Sequence, residues 1–208
     1  MVSPELIETL ALASGLAWAS GIRLYAVLFF AGALGRFGYV DLPGGLQWLG
    51  HPLMIAVSGL LCMLEFAADK VPGLDSLWDA VHTFIRIPAG ALLAAASLGQ
   101  PDSAVTLAAM LSGGALASGA HFTKAASRAL INTSPEPFSN VAASTIEDAL
   151  VIGGLWAALF HPAAFLALLL VFVGIMLWLL PRLWRGLRKV CLRVSALLDT
   201  GSSAPRPQ

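Results

Sequence analysis

Long hydrophobic segments alternate along the chain with short turns that contain glycine and proline. Apolar segments of roughly 20 residues cross a bilayer as helices, because a helix satisfies its own backbone hydrogen bonds. The pattern therefore predicts an all-α protein, a polytopic transmembrane helical bundle of about six spans. The predicted spans cover residues 4–37, 52–68, 74–98, 103–131, 141–160 and 163–180.

The first segment, residues 4–37, is too long for one straight crossing. At a rise of about 1.5 Å per residue, such a helix exceeds the thickness of the hydrocarbon core, so it must tilt, kink or break. We expect a break near Gly21, where an Ala-Ser-Gly triplet interrupts the apolar run. The sequence leaves open whether this segment crosses once or forms a re-entrant hairpin, which would place the N-terminus on the other side of the membrane.

Small residues mark an internal repeat. Residues 17–24 (AWASGIRL) align without gaps to residues 115–122 (ALASGAHF), at an offset of 98 residues from Ser20 to Ser118. In each copy a basic side chain, Arg23 or His121, follows the Ala-Ser-Gly triplet. Because an odd number of spans per repeat inverts the second copy, the alignment predicts two inverted three-helix repeats with broken helices, over 4–99 and 102–181. Close helix packing alone is the alternative explanation of these triplets.

The composition also favours a membrane protein. Hydrophobic residues make up 58% of the 208 residues and charged residues 12%, whereas soluble domains are about half apolar and about a quarter charged. The formal net charge is zero, so no bulk field attracts nucleic acid, and the expected partners are the lipid bilayer and a small-molecule or lipid substrate. Cys62 and Cys191 have no metal-site or disulfide spacing, so we expect no metal. The chain has no P-loop and no dinucleotide fingerprint, and we expect no cofactor.

Basic residues cluster after the last predicted span. They are Arg182, Arg185, Arg188, Lys189 and Arg193. Because positive charge accumulates on the cytoplasmic side, we expect residues 182–208 to form a cytoplasmic tail, disordered over 201–208. Residues 1–181 then form a single transmembrane domain of a multi-pass protein in the cell inner membrane. Whether this protein forms a homo-oligomer stays open.

The main polar centre lies in the run from Leu64 to Leu93. Asp75, Asp79, His82 and Arg86 are spaced 4, 3 and 4 residues apart, which places them on one helix face. Charges at membrane depth face the protein interior or an aqueous cavity, and a histidine between a carboxylate and a guanidinium suits proton exchange near neutral pH. As an alternative, the two aspartates are interfacial residues of a helix start, favoured by the helix dipole.

Further charges lie on the other predicted helices. The predicted substrate-binding residues are Arg23, Arg86, His121, Lys124 and Arg128, and the predicted proton-coupling residues are Glu65, Asp69, Asp79, His82 and Glu147. Basic groups near broken helix ends can bind a phosphate or carboxylate. Partner groups could come from the fifth span, from Asn140, Ser144, Glu147 and Asp148. Two alternatives stay open: a cytoplasmic helix end for Lys124 and Arg128, and salt bridges that serve only helix assembly.

Three runs carry a resemblance to a known family. LEFAADKVPGLDSLWDAVHTFIRIPAGALLAAAS (64–97), ASGIRLYAVLFFAGALGRFG near the start and FTKAASRALINTSPEPFSN in the middle resemble the bacterial membrane family catalogued as domain of unknown function 4126. That resemblance implies an integral membrane protein and brings no established activity. More distantly, EFAADK is similar to the Glu-x-Gly-Asp-Lys motif of cation/proton exchangers, and the repeat architecture is similar to that of undecaprenyl-diphosphate phosphatases.

The sequence is compatible with three functions. The first is a secondary transporter or permease, coupled to protons, for a small anionic solute or lipid headgroup. The second is a membrane enzyme acting on a phosphorylated lipid, with Glu65 or Asp69 as base or metal ligand and Arg86 stabilising phosphate charge. The third is a structural or assembly protein. The chain contains no P-loop, GxSxG, HExxH or dinucleotide fingerprint, so an enzyme is the less favoured reading and no catalytic residue is assigned.

Overall fold

The computed structural model describes residues 3–99, 102–133 and 137–201, and over these ranges all regular structure is helical. The elements in chain order are α1 (Pro4–Arg36), the 3-10 helix η1 (Gly44–Gly50), α2 (Pro52–Ala68), α3 (Leu74–Ala96), α4 (Ser103–Ile131), α5 (Pro137–Phe160) and α6 (Pro162–Gly201). The predicted bounds of the second and fourth spans are confirmed.

α1 is the central helix of the bundle and is broken near the predicted position. Ser3 caps its start by accepting a hydrogen bond from the backbone N–H of Leu6. Arg23 has non-helical backbone angles, φ −143° and ψ 76°, which divide α1 into two helical halves. Of its most apolar 18 residues, 78% are buried, because the other helices pack around it. The break therefore lies inside the bundle.

α1, α3 and α4 cross in close contact through small residues. A Cβ atom added at Gly90 of α3 would lie 2.5 Å from Cβ of Ala117 and 2.8 Å from Oγ of Ser20. One added at Gly21 would collide with the backbone of Ala117. α4 runs as one helix through its own Ala-Ser-Gly triplet, so the second predicted break is wrong. In α4 the triplet provides close contact with α1, which was the alternative reading.

Three other predicted boundaries differ from the structure. Residues 38–51, for which the sequence predicts no helix between the first two spans, contain η1, which meets α2 at an angle of 70°. α5 begins at Pro137 and not at residue 141, since proline suits the first turn of a helix. α6 continues through Pro181 into the basic segment as far as Gly201, because membrane helices tolerate an internal proline. Gly201, predicted to be disordered, is the last residue of α6, and the rest of that prediction, residues 202–208, lies outside the described residues.

Four helices of the described ranges are long and apolar enough to cross a membrane. They are α1, α4, α5 from Phe138 and α6 to Lys189, and the bent pair of η1 and α2 would make a fifth. α6 is the most exposed, with 11% of its most apolar 18 residues buried, as its Leu-rich composition predicts. α3 is not among them, since one of its faces is polar. The fold is therefore an all-helical bundle consistent with a membrane protein.

Candidate functional site: a buried ion network

Ten charged side chains form one connected set of ion pairs, here called the buried ion network. Its cations are Arg23, Lys70, Arg86, Lys124 and Arg128, and its anions are Glu65, Asp69, Asp79, Glu147 and Asp148. The side chains of Glu147, Asp148 and Lys70 are 15%, 24% and 28% exposed, and the others at most 2%. Buried charges are costly unless they are paired, and this set balances five cations against five carboxylates.

Asp69 lies between two cations at the break of α1. Its Oδ2 atom is 2.9 Å from Nη1 of Arg23 and 2.7 Å from Nζ of Lys124. The ammonium of Lys124 also donates to the backbone carbonyl of Ile22, at 3.2 Å. That carbonyl directly precedes the broken residue, so the break of α1 supplies a backbone acceptor for Lys124. The centre of the network is thus built on the irregular backbone of α1.

Arg86 links α2, α3 and α4. Its Nη2 atom is 2.5 Å from Oε1 of Glu65, and Nη1 is 2.6 Å from Oδ1 of Asp79, two turns earlier on α3. Nη1 also lies 3.3 Å from Nδ1 of His121, whose Nε2 atom is 2.7 Å from Oγ1 of Thr83. Asp79 connects this part to the centre, since its Oδ1 atom is 3.4 Å from Nζ of Lys124.

Arg128 joins α4 to α5 and to the turn after α2. Nε and Nη2 of Arg128 bind the two oxygens of Glu147 at 3.0 and 2.8 Å, a bidentate arrangement. Its Nη1 atom donates to the carbonyl and side-chain oxygens of Asn140, at 2.8 and 2.5 Å. Arg128 and Lys124 are both buried. They are therefore not exposed to solvent, although Arg128 lies in the last turn of α4, and the alternative that this helix end is cytoplasmic stays a prediction.

Several buried polar atoms of the network make no hydrogen bond to any described residue. They are Oε2 of Glu65, Oδ1 of Asp69, Oδ2 of Asp79, Nε of Arg86, and Nε and Nη1 of Arg23, the last two of which make ion pairs without a well-aligned hydrogen bond. Each of these three carboxylates therefore has one oxygen available to accept a hydrogen bond or a proton, and protonation would remove the charge that holds its ion pair. Within the described ranges, no group of three or more His, Cys, Asp or Glu side chains is arranged to hold a metal ion.

The structure brings all the predicted site residues except His82 into direct contact with the network. His82 is buried, but its Nε2 atom lies 3.0 Å from the hydroxyl of Tyr25 and its Nδ1 atom 2.8 Å from the carbonyl of Trp78. Its ring also stacks on that of Trp78, with centroids 4.2 Å apart. His82 therefore contacts these groups and not Asp79 or Arg86, which flank it on the helix face. The binding and proton-coupling roles of the whole set stay predictions.

Sequence reasoning missed several groups that complete the site. Lys70, which is assigned no role from the sequence, has its Nζ atom 3.3 Å from Oγ of Ser144 and 3.1 Å from the ring centroid of Phe66. Tyr25 and Thr83 were not singled out, although each follows a site residue closely. The signal for Thr83 is its position one turn after Asp79, to whose carbonyl it donates. The signal for Tyr25 is its hydroxyl, two residues after Arg23 in an apolar run.

Comparison with known proteins identifies a family and no relative of known activity. The sequence model of a family described as "Domain of unknown function (DUF4126)" matches residues 10–182. No curated protein and no solved structure matches the chain. The matched range contains every member of the buried ion network, and it ends just after Pro181 in α6. The chain therefore belongs to the DUF4126 family, as its three characteristic runs indicated.

Proposed function

We propose that this protein is a secondary transporter, coupled to protons, for a small anionic solute or lipid headgroup. The observation that carries the proposal is the position of Asp69 beside the break of α1. A single oxygen of its carboxylate, Oδ2, contacts both Arg23 and Lys124. A substrate anion would compete with this carboxylate for the same two cations. Protonation of Asp69 would remove the carboxylate charge that the two cations share and let the anion take its place beside them.

The charge balance of the network is the reason why anion entry would be coupled to proton entry. The network holds equal numbers of cations and carboxylates, so an anion that enters alone leaves an uncompensated buried charge. An anion that enters with one proton for each of its charges keeps the network neutral. Glu65 and Asp79 extend the proton path, because each has an oxygen without a hydrogen bond among the described residues. The proposed substrate-binding residues also include Arg86, His121 and Arg128. The proposed proton-coupling residues also include His82 and Glu147.

The proposed architecture places this site near the middle of the membrane. We propose six spans in two inverted three-helix repeats, located in the cell inner membrane with the basic end of α6 on the cytoplasmic side. The long apolar helices and the helix break at Arg23 support this arrangement. Broken helices at a repeat interface are where transporters of this kind bind their substrates. Arg182, Arg185 and Arg188 in the C-terminal half of α6 support the orientation.

An Asp69→Asn variant tests the coupling. An asparagine mimics a permanently protonated aspartate, so anions should still enter while the coupled proton flux falls to the level of protein-free liposomes. The measurement uses liposomes loaded with pyranine, to which inorganic phosphate, succinate or hexyl phosphate is added, with radiolabelled phosphate and succinate to follow the anion itself. Asp102→Asn, at the exposed start of α4, is the matched control and should behave as wild type.

Two results would overturn the proposal. One is that none of the three anions moves protons above the level of protein-free liposomes. The other is an Asp69→Asn variant that remains coupled like the wild type, since the shared carboxylate would then have no part in proton transfer.

A second candidate is a membrane assembly protein whose charges only hold helices together. The complete pairing of the network, with each cation in contact with at least one carboxylate, supports it. This candidate differs from the transporter in the flux experiment, where it gives no anion-dependent proton movement in any variant.

A further inference from the structure

A lateral groove leads from the outer surface of the bundle to the buried ion network. It is a cavity of about 370 Å³ between α1, α2 and α5, within the roughly 300–1,000 Å³ typical of ligand pockets. Its lining includes Ala26 and Phe30 of α1, Cys62 of α2 and Val151 of α5, with Arg23 and Asp148 as its charged members. The groove therefore combines an apolar wall with one charged end.

The rim of the lateral groove faces outward from the bundle. Met63, Phe66 and Ile152 line it and are exposed large apolar side chains, the first with 72% of its surface accessible. In a membrane, such side chains lie against lipid hydrocarbon. A hydrocarbon chain could therefore enter the groove sideways from the bilayer, without exposing apolar surface to water.

The charged end offers two cations around the most exposed carboxylate of the network. Nε of Arg23 lies 2.9 Å from Oδ1 of Asp148, and Nζ of Lys70 lies 4.0 Å from Oδ2. Lys70 also lies over the ring of Phe66, which belongs to the groove lining. Arg23 Nε makes an ion pair here but no well-aligned hydrogen bond. An anion in the groove would thus meet Arg23 and Lys70, with Asp148 as its competitor.

We propose that the lateral groove binds a lipid that carries an anionic headgroup on a hydrocarbon chain. The headgroup oxygens replace Asp148 at Arg23 and Lys70, and the chain lies along the wall formed by α1, α2 and α5. This inference rests on the proposed transport function and deepens it, because it identifies the substrate as a lipid-linked anion that reaches the network from the bilayer. Asp148 then acts as the group that the headgroup displaces.

Photocrosslinking in phosphatidylcholine nanodiscs tests the groove directly. The probe is decyl phosphate with a diazirine near the end of its chain, and crosslinked peptides are mapped by mass spectrometry. Crosslinks should fall in α1, α2 and α5. The matching diazirine-labelled decanol should need about a tenfold higher concentration for half-maximal labelling, the difference expected when a charge-assisted contact is lost.

Substitutions separate the roles of the chain and the headgroup. Cys62→Trp fills the groove and should abolish labelling, whereas Leu64→Trp, at an exposed position on the same helix and outside the groove lining, should leave it unchanged. Lys70→Gln should raise the half-maximal concentration about tenfold, and Asp148→Asn should lower it severalfold by removing the competing carboxylate. Size-exclusion profiles of all variants show whether each one is folded.

The outcomes distinguish this inference from the transport proposal. Equal labelling by the phosphate and alcohol probes, or labelling that survives Cys62→Trp, overturns the lipid site. If labelling fails while phosphate or succinate still carries protons into liposomes, the groove is wrong and the transporter stands. If labelling follows the groove but no anion moves protons, the lipid site stands and the transport proposal fails.

Discussion

Asp75 and Asp79 lie one turn apart on α3 and have different roles. Oδ1 of Asp75 accepts hydrogen bonds from the backbone N–H groups of Gly73 and Ser76, at 2.9 and 2.6 Å, and from the amide of Asn132, at 2.7 Å. Asp79 instead pairs with Arg86 in the network. The helix-start alternative thus describes the local bonding of Asp75, although this residue is buried, and it is wrong for Asp79.

Replacing Asp75 with alanine should destabilise the protein without changing its ion network. The backbone N–H groups and the Asn132 amide lose a buried acceptor, which costs about 1–3 kcal/mol for an unsatisfied group. The midpoint of thermal unfolding in detergent measures the effect. Asp41→Ala, at an exposed loop position, is the control and should change stability by less than about 0.5 kcal/mol. Equal midpoints for the two variants would contradict this role of Asp75.

Small residues do two different things in α1 and α4. In α1 the Ala-Ser-Gly triplet comes just before the break at Arg23, and in α4 the equivalent triplet lies within a continuous helix. Both triplets lie where the two helices touch, as the contact between Gly21 and the backbone of Ala117 shows. A sequence pattern alone does not separate these cases, because a break and a close crossing both call for small side chains.

Gly90→Ala should weaken the crossing of α1, α3 and α4. The added methyl would lie 2.5 Å from Cβ of Ala117 and 2.8 Å from Oγ of Ser20, so the helices would have to move apart. Overpacking of this kind typically costs about 1–3 kcal/mol. Gly153→Ala in α5 is the matched control, because beyond its adjacent residues and the local backbone of its own helix no heavy atom lies within 4 Å of the added carbon. The prediction fails if both variants unfold at the same temperature in a thermal melt.

At the scale of the whole molecule, the sequence predicts which charged residues share a helix face, but not which residues on other helices they pair with. The 4-3-4 spacing on α3 placed Asp79 and Arg86 on one inward face, since helical periodicity alone determines that. The partners of Arg86 come from α2 and α4, and their positions depend on how the helices cross. Helix bounds were predicted well for α2 and α4 and poorly at Pro137 and Pro181, because proline can begin or continue a helix as well as end one.

Because the ion pairs of the network are interconnected, a variant that exchanges two oppositely charged residues does not test one ion pair alone. Exchanging Asp79 and Arg86 would place the new aspartate against Glu65 and the new arginine against Lys124, since each residue of the pair has a second charged neighbour. The exchange should therefore fail to restore stability even if these charges serve assembly alone. A pair with a simpler set of contacts gives a clearer experiment.

The pair of Glu65 and Arg86 is simpler, because Glu65 makes an ion pair with Arg86 and with no other described residue. Arg86→Gln alone leaves the carboxylate of Glu65 buried without its only ion-pair partner among the described residues, which should cost about 3–5 kcal/mol. Adding Glu65→Gln removes that carboxylate, while Asp79 keeps its contact with Lys124 at 3.4 Å. The double variant should therefore recover much of the lost stability, measured as thermal midpoints of all four members of a double-mutant cycle. If the two losses simply add, charge neutrality does not govern the stability of the network, and the argument that an anion must enter with a proton loses its basis.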